Sequence, residues 1–293
     1  MTTTTLAVWW QAFRPKTLTA AVAPVIMGTA MAYGDGLAHG PSAAVCLLAA
    51  VMIQIGTNLA NDYFDCQKGA DTADRLGPTR VTQAGLIRPE AVRGAFVGAF
   101  ALAGLACAWL VHRAGWPIAV LGIVSILSGL FYTAGPRPLG YLGLGDLFVL
   151  VFFGPVAVAG TYYVQSLEIN AAVIWAGFGP GLIATAILAV NNLRDRQTDQ
   201  RCGKKTLAVR FGPEFARYEY MSALLLAALL PVAIYGFIDD HRWILATPVV
   251  LLPAMPVLKT VLTTDGPALN KALADTGRLL LIYSVVFSMG WIV

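Results

Sequence analysis

Amide and carboxylate residues stand at helical spacing at two points of the chain, and oxygen donors so arranged suit a hard cation. In NLANDYFD, residues 58 to 65, the side chains of Asn58, Asn61, Asp62 and Asp65 fall within roughly one third of a helix circumference. In NNLRDRQTD, residues 191 to 199, Asn191, Asp195 and Asp199 recur at every fourth position, again on one helical face. Two such acidic clusters suggest one shared site. Oxygen donors without paired Cys or His favour Mg²⁺, less often Mn²⁺. Mg²⁺ seldom sits in an all-protein cage and usually takes one or two carboxylates plus waters and substrate phosphates.

The acids are accompanied by bases: Lys68, Arg75, Arg80, Arg194, Arg196, Lys204, Lys205 and Arg210, with Arg137 in a further segment. Acids that hold a metal beside bases that hold phosphate oxygens make a diphosphate site. A blander reading assigns the bases to membrane topology and anionic headgroups. It accounts for their charge but not for the paired Asn and Asp spacing.

Both motifs end long apolar segments, so the elements that must position them are membrane helices. The chain of 293 residues is 57% hydrophobic and 12% charged, with mean hydropathy +0.68, whereas soluble domains carry about 25% charged residues. This composition predicts an all-α polytopic membrane protein. Residues 1–293 read as a single membrane domain, because no hydrophilic stretch is large enough to fold separately. Nine spans are expected, at 17–34, 42–62, 91–111, 117–133, 145–164, 171–191, 218–237, 243–261 and 277–292. The first is preceded by Arg14 and Lys16, lacks a cleavage site and is expected to persist as a span. Cys46, Cys66, Cys107 and Cys202 are scattered and suggest neither a disulfide framework nor a thiolate metal site.

With a cytoplasmic N-terminus, Arg113 and Arg242 are the only ones of the 20 Lys and Arg residues on the outer side, a strong positive-inside bias. Both acidic clusters then face the cytoplasm. The segments around 63 to 90 and 192 to 217 are long and rich in Gly, Pro and charge, and are expected to cap the site. Between the helices an apolar interior could hold an isoprenoid tail, with Phe131, Tyr132, Phe152, Phe153, Tyr162 and Tyr163 available to line it.

Four stretches carry a resemblance: FRPKTL near the start, NLANDYFDCQKGADTADRLGPTRVTQAGLI, YTAGPRPLGYLGLGD, and NNLRDRQTDQRCGKKTLAVRFG. Together the chain resembles the UbiA-type intramembrane prenyltransferases, and within them the branch that acts on 1,4-dihydroxy-2-naphthoate in menaquinone synthesis. The resemblance implies nine helices around a lipid-accessible cavity, with Mg²⁺ bridging a polyprenyl diphosphate to the two motifs. By that pattern the metal ligands map onto Asn61, Asp65, Asp195 and Asp199, with Asp62 and Asn191 beside them. Asp65, Asp195 and Asp199 are the expected catalytic acids. Asn58, Lys68, Arg80, Arg137, Lys204 and Lys205 are the expected substrate-binding residues, and Arg14, Lys16 or Arg137 could meet an acceptor carboxylate. Hydroxybenzoate-specific relatives often carry a further Asp where this chain has Gly69; Asp71 lies two residues beyond.

The implied partners are the diphosphate, the naphthoate and the lipid bilayer of a bacterial inner membrane, with neither nucleic acid nor an obligate protein partner. Two alternatives differ from this reading: a prenyltransferase for another acceptor such as 4-hydroxybenzoate, and a cation transporter. The latter predicts acids near the bilayer midplane rather than at span ends.

Overall fold

The computed structural model describes residues 6–69, 76–238 and 240–293. Asp71 and Arg75 lie outside them. The described residues contain helices and no strands. In chain order these are α1 (Leu6–Phe13), α2 (Pro15–Gly34), α3 (Gly40–Gln67), α4 (Pro89–Ala114), α5 (Trp116–Phe131), α6 (Gly145–Val151), α7 (Ala157–Ser166), α8 (Ala171–Arg201), α9 (Leu207–Phe211), α10 (Pro213–Ile238), α11 (Leu251–Thr263) and α12 (Leu269–Ile292). A π-helical turn at Phe152–Val156 joins α6 to α7, and 3₁₀ segments at Arg242–Val250 and Gly266–Ala268 lead into α11 and α12.

Eight of the resulting helical units are long and apolar enough to cross a membrane. The remaining expected span, 117–133, is α5, which has 16 residues and covers about 24 Å at 1.5 Å per residue, short of the roughly 30 Å hydrocarbon core. The order of spans is the expected one, but α3 and α8 continue past their apolar stretches to Gln67 and Arg201. The motif residues therefore lie inside helices that project beyond the apolar layer, where helical spacing holds their side chains on one face.

Local sequence sets the helix starts. Pro15, Pro41, Pro89 and Pro117 occupy the first turns of α2 to α5, where the missing N–H has no helical partner to lose. Asn170 caps α8 by accepting from Val173 N at 2.9 Å. Packing then follows membrane rules: the buried core is rich in alanine, whereas large apolar side chains such as Leu105, Trp116 and Leu252 point outward. Without hydrophobic drive in lipid, close approach of small residues holds helices together.

A close backbone approach positions the kinked α6–α7 unit. Gly154 leaves helical geometry at φ −113° and ψ −114°, with Pro155 after it, and its Cα packs on the backbone of Gly177 and Gly181 in α8. A methyl group on Gly154 would sit 2.9 Å from the Gly177 carbonyl oxygen, so three glycines permit this contact.

Candidate active site

Both motif faces open on one cavity of about 760 Å³, bounded at its polar end by the ends of α3 and α8. Asn61, Asp65, Asn191, Asp195 and Asp199 line it, together with Arg80, Arg194 and Lys204. The two motifs meet at Lys204, which follows α8: its Nζ lies 3.5 Å from Asp65 Oδ2 and 3.7 Å from Asp199 Oδ1. One cation thus stands between carboxylates 134 positions apart in sequence, and it marks a point that hard oxygen donors from both helices can reach.

Asp65 and Asp195 have strong partners of their own. Asp65 accepts from Arg80 Nη2 at 3.2 Å and from the Tyr141 hydroxyl at 3.0 Å. Asp195 is gripped by its neighbour Arg194 through two hydrogen bonds, Nε to Oδ1 at 2.7 Å and Nη2 to Oδ2 at 2.6 Å. Arg194 also donates to Asn191 Oδ1 and to Asn270 Oδ1, both at 2.8 Å. In this cluster Asp65, Asp195 and Asp199 pair with Arg80, Arg194 and Lys204, and such pairing is what makes burial of charge tolerable. Among the described residues no group of three or more His, Cys, Asp or Glu is arranged to hold a metal ion by itself. The donor chemistry fits a hard ion, and binding it requires the carboxylates to exchange bases for metal.

The segment after residue 76 closes over the mouth, as expected of a cap. Gly77, Pro78 and Arg80 face the cavity. Asp62 fixes this segment: its two carboxylate oxygens accept from Val81 N at 3.1 Å and Thr82 N at 3.0 Å. Asn270, at the start of α12, donates to Leu76 O at 2.9 Å. The cap is thereby tied to α3 on one side and, through Asn270 and Arg194, to the second motif on the other.

Four of the expected positions lie outside the lining of this cavity. Asp62 is not among the residues lining the cavity; it is turned to the cap backbone, because adjacent N–H groups there present two donors to its one carboxylate. Lys68 is likewise outside the lining, bonding the carbonyls of Thr133 and Gly135 and stacking on Tyr141. Burial lowers its pKa from the ordinary lysine value, and the nearby Asp65 carboxylate opposes that shift. Arg137 and Lys205 are exposed and face away from the cavity. Lys205 contributes its backbone N–H, which donates to Tyr141 O at 2.9 Å, so of the two adjacent lysines only Lys204 points inward.

Asn58 lines the cavity deeper in, where it donates to Phe13 O at 3.0 Å and Thr17 Oγ1 at 2.9 Å and joins α3 to the start of α2. Arg14 and Lys16 line the same mouth. Arg14 adopts φ 54° and ψ 66°, a left-handed conformation that costs a non-glycine residue about 1 kcal/mol or more. Tyr141, Asn270 and Thr133, which donates to Asn61 Oδ1 at 2.8 Å, were not singled out by motif spacing. Beyond the polar head the walls turn apolar, with Val25, Ile53, Leu110 and Ile118 among them.

Similar proteins match this chain over nearly its whole length. The chain is 38% identical over 295 residues to the 1,4-dihydroxy-2-naphthoate octaprenyltransferase of Escherichia coli, covering 96% of this chain and 94% of that protein. It is 39% identical over 290 residues to the enzyme of the same name from Mycobacterium tuberculosis, covering 95% and 94%. A UbiA homologue from Archaeoglobus fulgidus, solved with DMAPP and Mg²⁺, superimposes with a TM-score of 0.68 at 15% identity, over 96% of this chain and 99% of that one. At that identity the likeness speaks for the fold alone. The UbiA prenyltransferase family model matches residues 21–284, a stretch that holds both acidic motifs, the cap and the apolar cavity, and the chain belongs to that family.

Proposed function

We propose that the protein transfers a polyprenyl group from an allylic diphosphate to 1,4-dihydroxy-2-naphthoate with loss of carbon dioxide, a step of menaquinone synthesis. The observation that carries this reading is the shared position of Asp65 and Asp199 around Lys204 at the head of an apolar-walled cavity. The naphthoate acceptor is supported by the named activity of relatives at 38% and 39% identity over nearly the whole chain. A cation transporter finds less support, because both acidic motifs open on one mouth.

Asp65, Asp195 and Asp199, with Asn61 and Asn191, are the residues that would hold Mg²⁺. When bound, Mg²⁺ supplies Lewis acidity to the departing diphosphate oxygens. Arg80, Arg194 and Lys204 now pair with these carboxylates; each can turn its N–H donors to phosphate oxygens as the carboxylates take up metal. Rupture of the allylic C–O bond leaves its electron pair on the diphosphate, where these bases stabilise the developing charge. The acceptor ring carbon forms the new bond to the allylic carbon, and the ring releases its carboxylate carbon as carbon dioxide. The cap tied down by Asp62 and Asn270 keeps water from the allylic cation. Arg14 and Lys16, which line the cavity, would meet the acceptor carboxylate.

The positive-inside bias supports a cytoplasmic N-terminus and a site open to the cytoplasmic face of a bacterial inner membrane. The test is a detergent assay with Mg²⁺ and octaprenyl diphosphate, offering 1,4-dihydroxy-2-naphthoate and 4-hydroxybenzoate separately. Prenylated product and carbon dioxide from the naphthoate alone, lost on chelation, is the expected result. Product from the benzoate alone overturns the acceptor assignment.

A further inference from the structure

A second cavity, a groove of about 420 Å³ that shares part of its wall with the first, opens on the face between α5 and α7. Leu121, Val156 and Gly160 line both it and the central cavity. The partition is therefore one residue thick, and at Gly160 it has no side chain. Across that gap stands Leu121: a methyl group placed on Gly160 would meet Leu121 Cδ1 at 3.8 Å, an ordinary van der Waals contact. The groove exists because α6 and α7 do not form one straight helix; Pro155, in the π turn, forms part of its wall.

Position along the bundle gives the groove its meaning. Ile174, near the start of α8, lines the groove, and Asp195, toward the other end of the same helix, lines the diphosphate-binding head. At 1.5 Å per residue the two are about 30 Å apart along the axis, roughly the hydrocarbon thickness of a bilayer. A short prenyl chain held at the head ends inside the central cavity. A long one must pass the thin wall or fold back on itself within a cavity of about 760 Å³ that also has to admit the acceptor. The groove on the other side is lined by apolar side chains and Tyr163, whose hydroxyl is engaged by the Ala114 carbonyl at 3.1 Å.

We infer that the tail of a long prenyl diphosphate leaves the central cavity between α5 and α7, crossing at Gly160 with Leu121 as the movable side chain, and that its distal isoprene units lie in this groove. The assignment deepens the proposed function and rests on its long-chain donor. Chain length follows from it: the crossing is used by long donors and is irrelevant to short ones.

Two measurements test the passage. In Gly160→Phe, kcat/KM for octaprenyl diphosphate is expected to fall about tenfold or more while that for geranyl diphosphate stays within about twofold. Leu121→Ala, which widens the gap, should spare or raise the octaprenyl value. Equal losses for both donors, or none for either, overturn the inference. In the unmodified protein, octaprenyl and geranyl diphosphate analogues carrying a terminal diazirine are bound without acceptor and photolysed. Crosslinks of the octaprenyl analogue alone at Tyr163 or Ile174 support the passage; its crosslinks confined to the central cavity or to another face refute it. Crosslinking needs no acceptor, so a wrong naphthoate assignment leaves this result readable.

Discussion

The Tyr141 hydroxyl donates to Asp65 Oδ1 at 3.0 Å, joining the α5–α6 connection to the first acidic motif. The Tyr141 ring also lies under two ammonium groups, Lys68 Nζ and Lys204 Nζ, each 5.0 Å from its centroid. One tyrosine thus orients a carboxylate with its hydroxyl and gathers cations on its π face. Gly143 makes the fit possible at φ +72°, in a backbone conformation that side chains resist.

Tyr141→Phe should separate these two roles. The ring and its cation contacts remain, whereas Asp65 loses a donor worth about 1 to 2 kcal/mol. Turnover is expected to fall about tenfold with little change in thermal stability, and the Mg²⁺ concentration for half-maximal rate should shift. Unchanged kinetics with a lower melting temperature would return Tyr141 to a purely structural role.

Asp62 predicts a different pattern. Because its oxygens receive Val81 N and Thr82 N, Asp62→Ala leaves two buried donors without their acceptor, at a cost of roughly 2 to 3 kcal/mol. Limited proteolysis within the cap segment should accelerate, whereas the Mg²⁺ dependence of residual activity should stay near that of the unaltered protein. A large rise in the Mg²⁺ requirement with an intact cap would mean that Asp62 rotates to bind metal.

Glycine contacts between α8 and the kink make a prediction about folding. A methyl group on Gly181 would approach Gly154 Cα to 2.9 Å, and neither backbone can yield without separating the helices. Gly181→Ala should destabilise the protein by about 1 to 3 kcal/mol, the range for overpacking, read as a lower melting temperature in detergent. Equal stability would mean that α6–α7 and α8 slide apart freely.

Much of this architecture was legible from apolar segments alone, since eight segments of bilayer length and a shorter ninth leave few alternatives. The facing of Asn61, Asp65, Asn191, Asp195 and Asp199 into one cavity followed from helical spacing, because α3 and α8 continue through both motifs. Spacing failed where a side chain has a competing partner close by. Asp62 shares the face of Asn58 and Asp65 yet is captured by two amides of the cap, and no helix periodicity reports on a loop that folds back. Lys204 and Lys205 carry equal charge in sequence; the turn after α8, with Gly203 at φ +73°, directs one inward and leaves the other in solvent. Asn270 had no signal at all, because its role depends on α12 meeting the second motif and the cap at once.

Lys204 yields the sharpest test of the site, because it occupies the position between Asp65 and Asp199 that a metal ion would take. Lys204→Ala removes the ammonium and leaves two carboxylates facing each other, which raises the electrostatic cost of the metal-free fold. Mg²⁺ binding to the folded state offsets that cost, so the variant should gain more in melting temperature on adding Mg²⁺ than the unaltered protein does. The same variant loses a phosphate donor, and its KM for the prenyl diphosphate should rise by about tenfold or more. Lys205→Ala, whose side chain is exposed, should change neither quantity beyond about twofold. If Asp65→Asn abolishes the Mg²⁺-dependent gain in Lys204→Ala, the metal and the ammonium compete for the same carboxylates. If the gain persists in the double variant, the metal binds elsewhere, and the convergence of the two motifs on Lys204 is a salt-bridge network without a catalytic role.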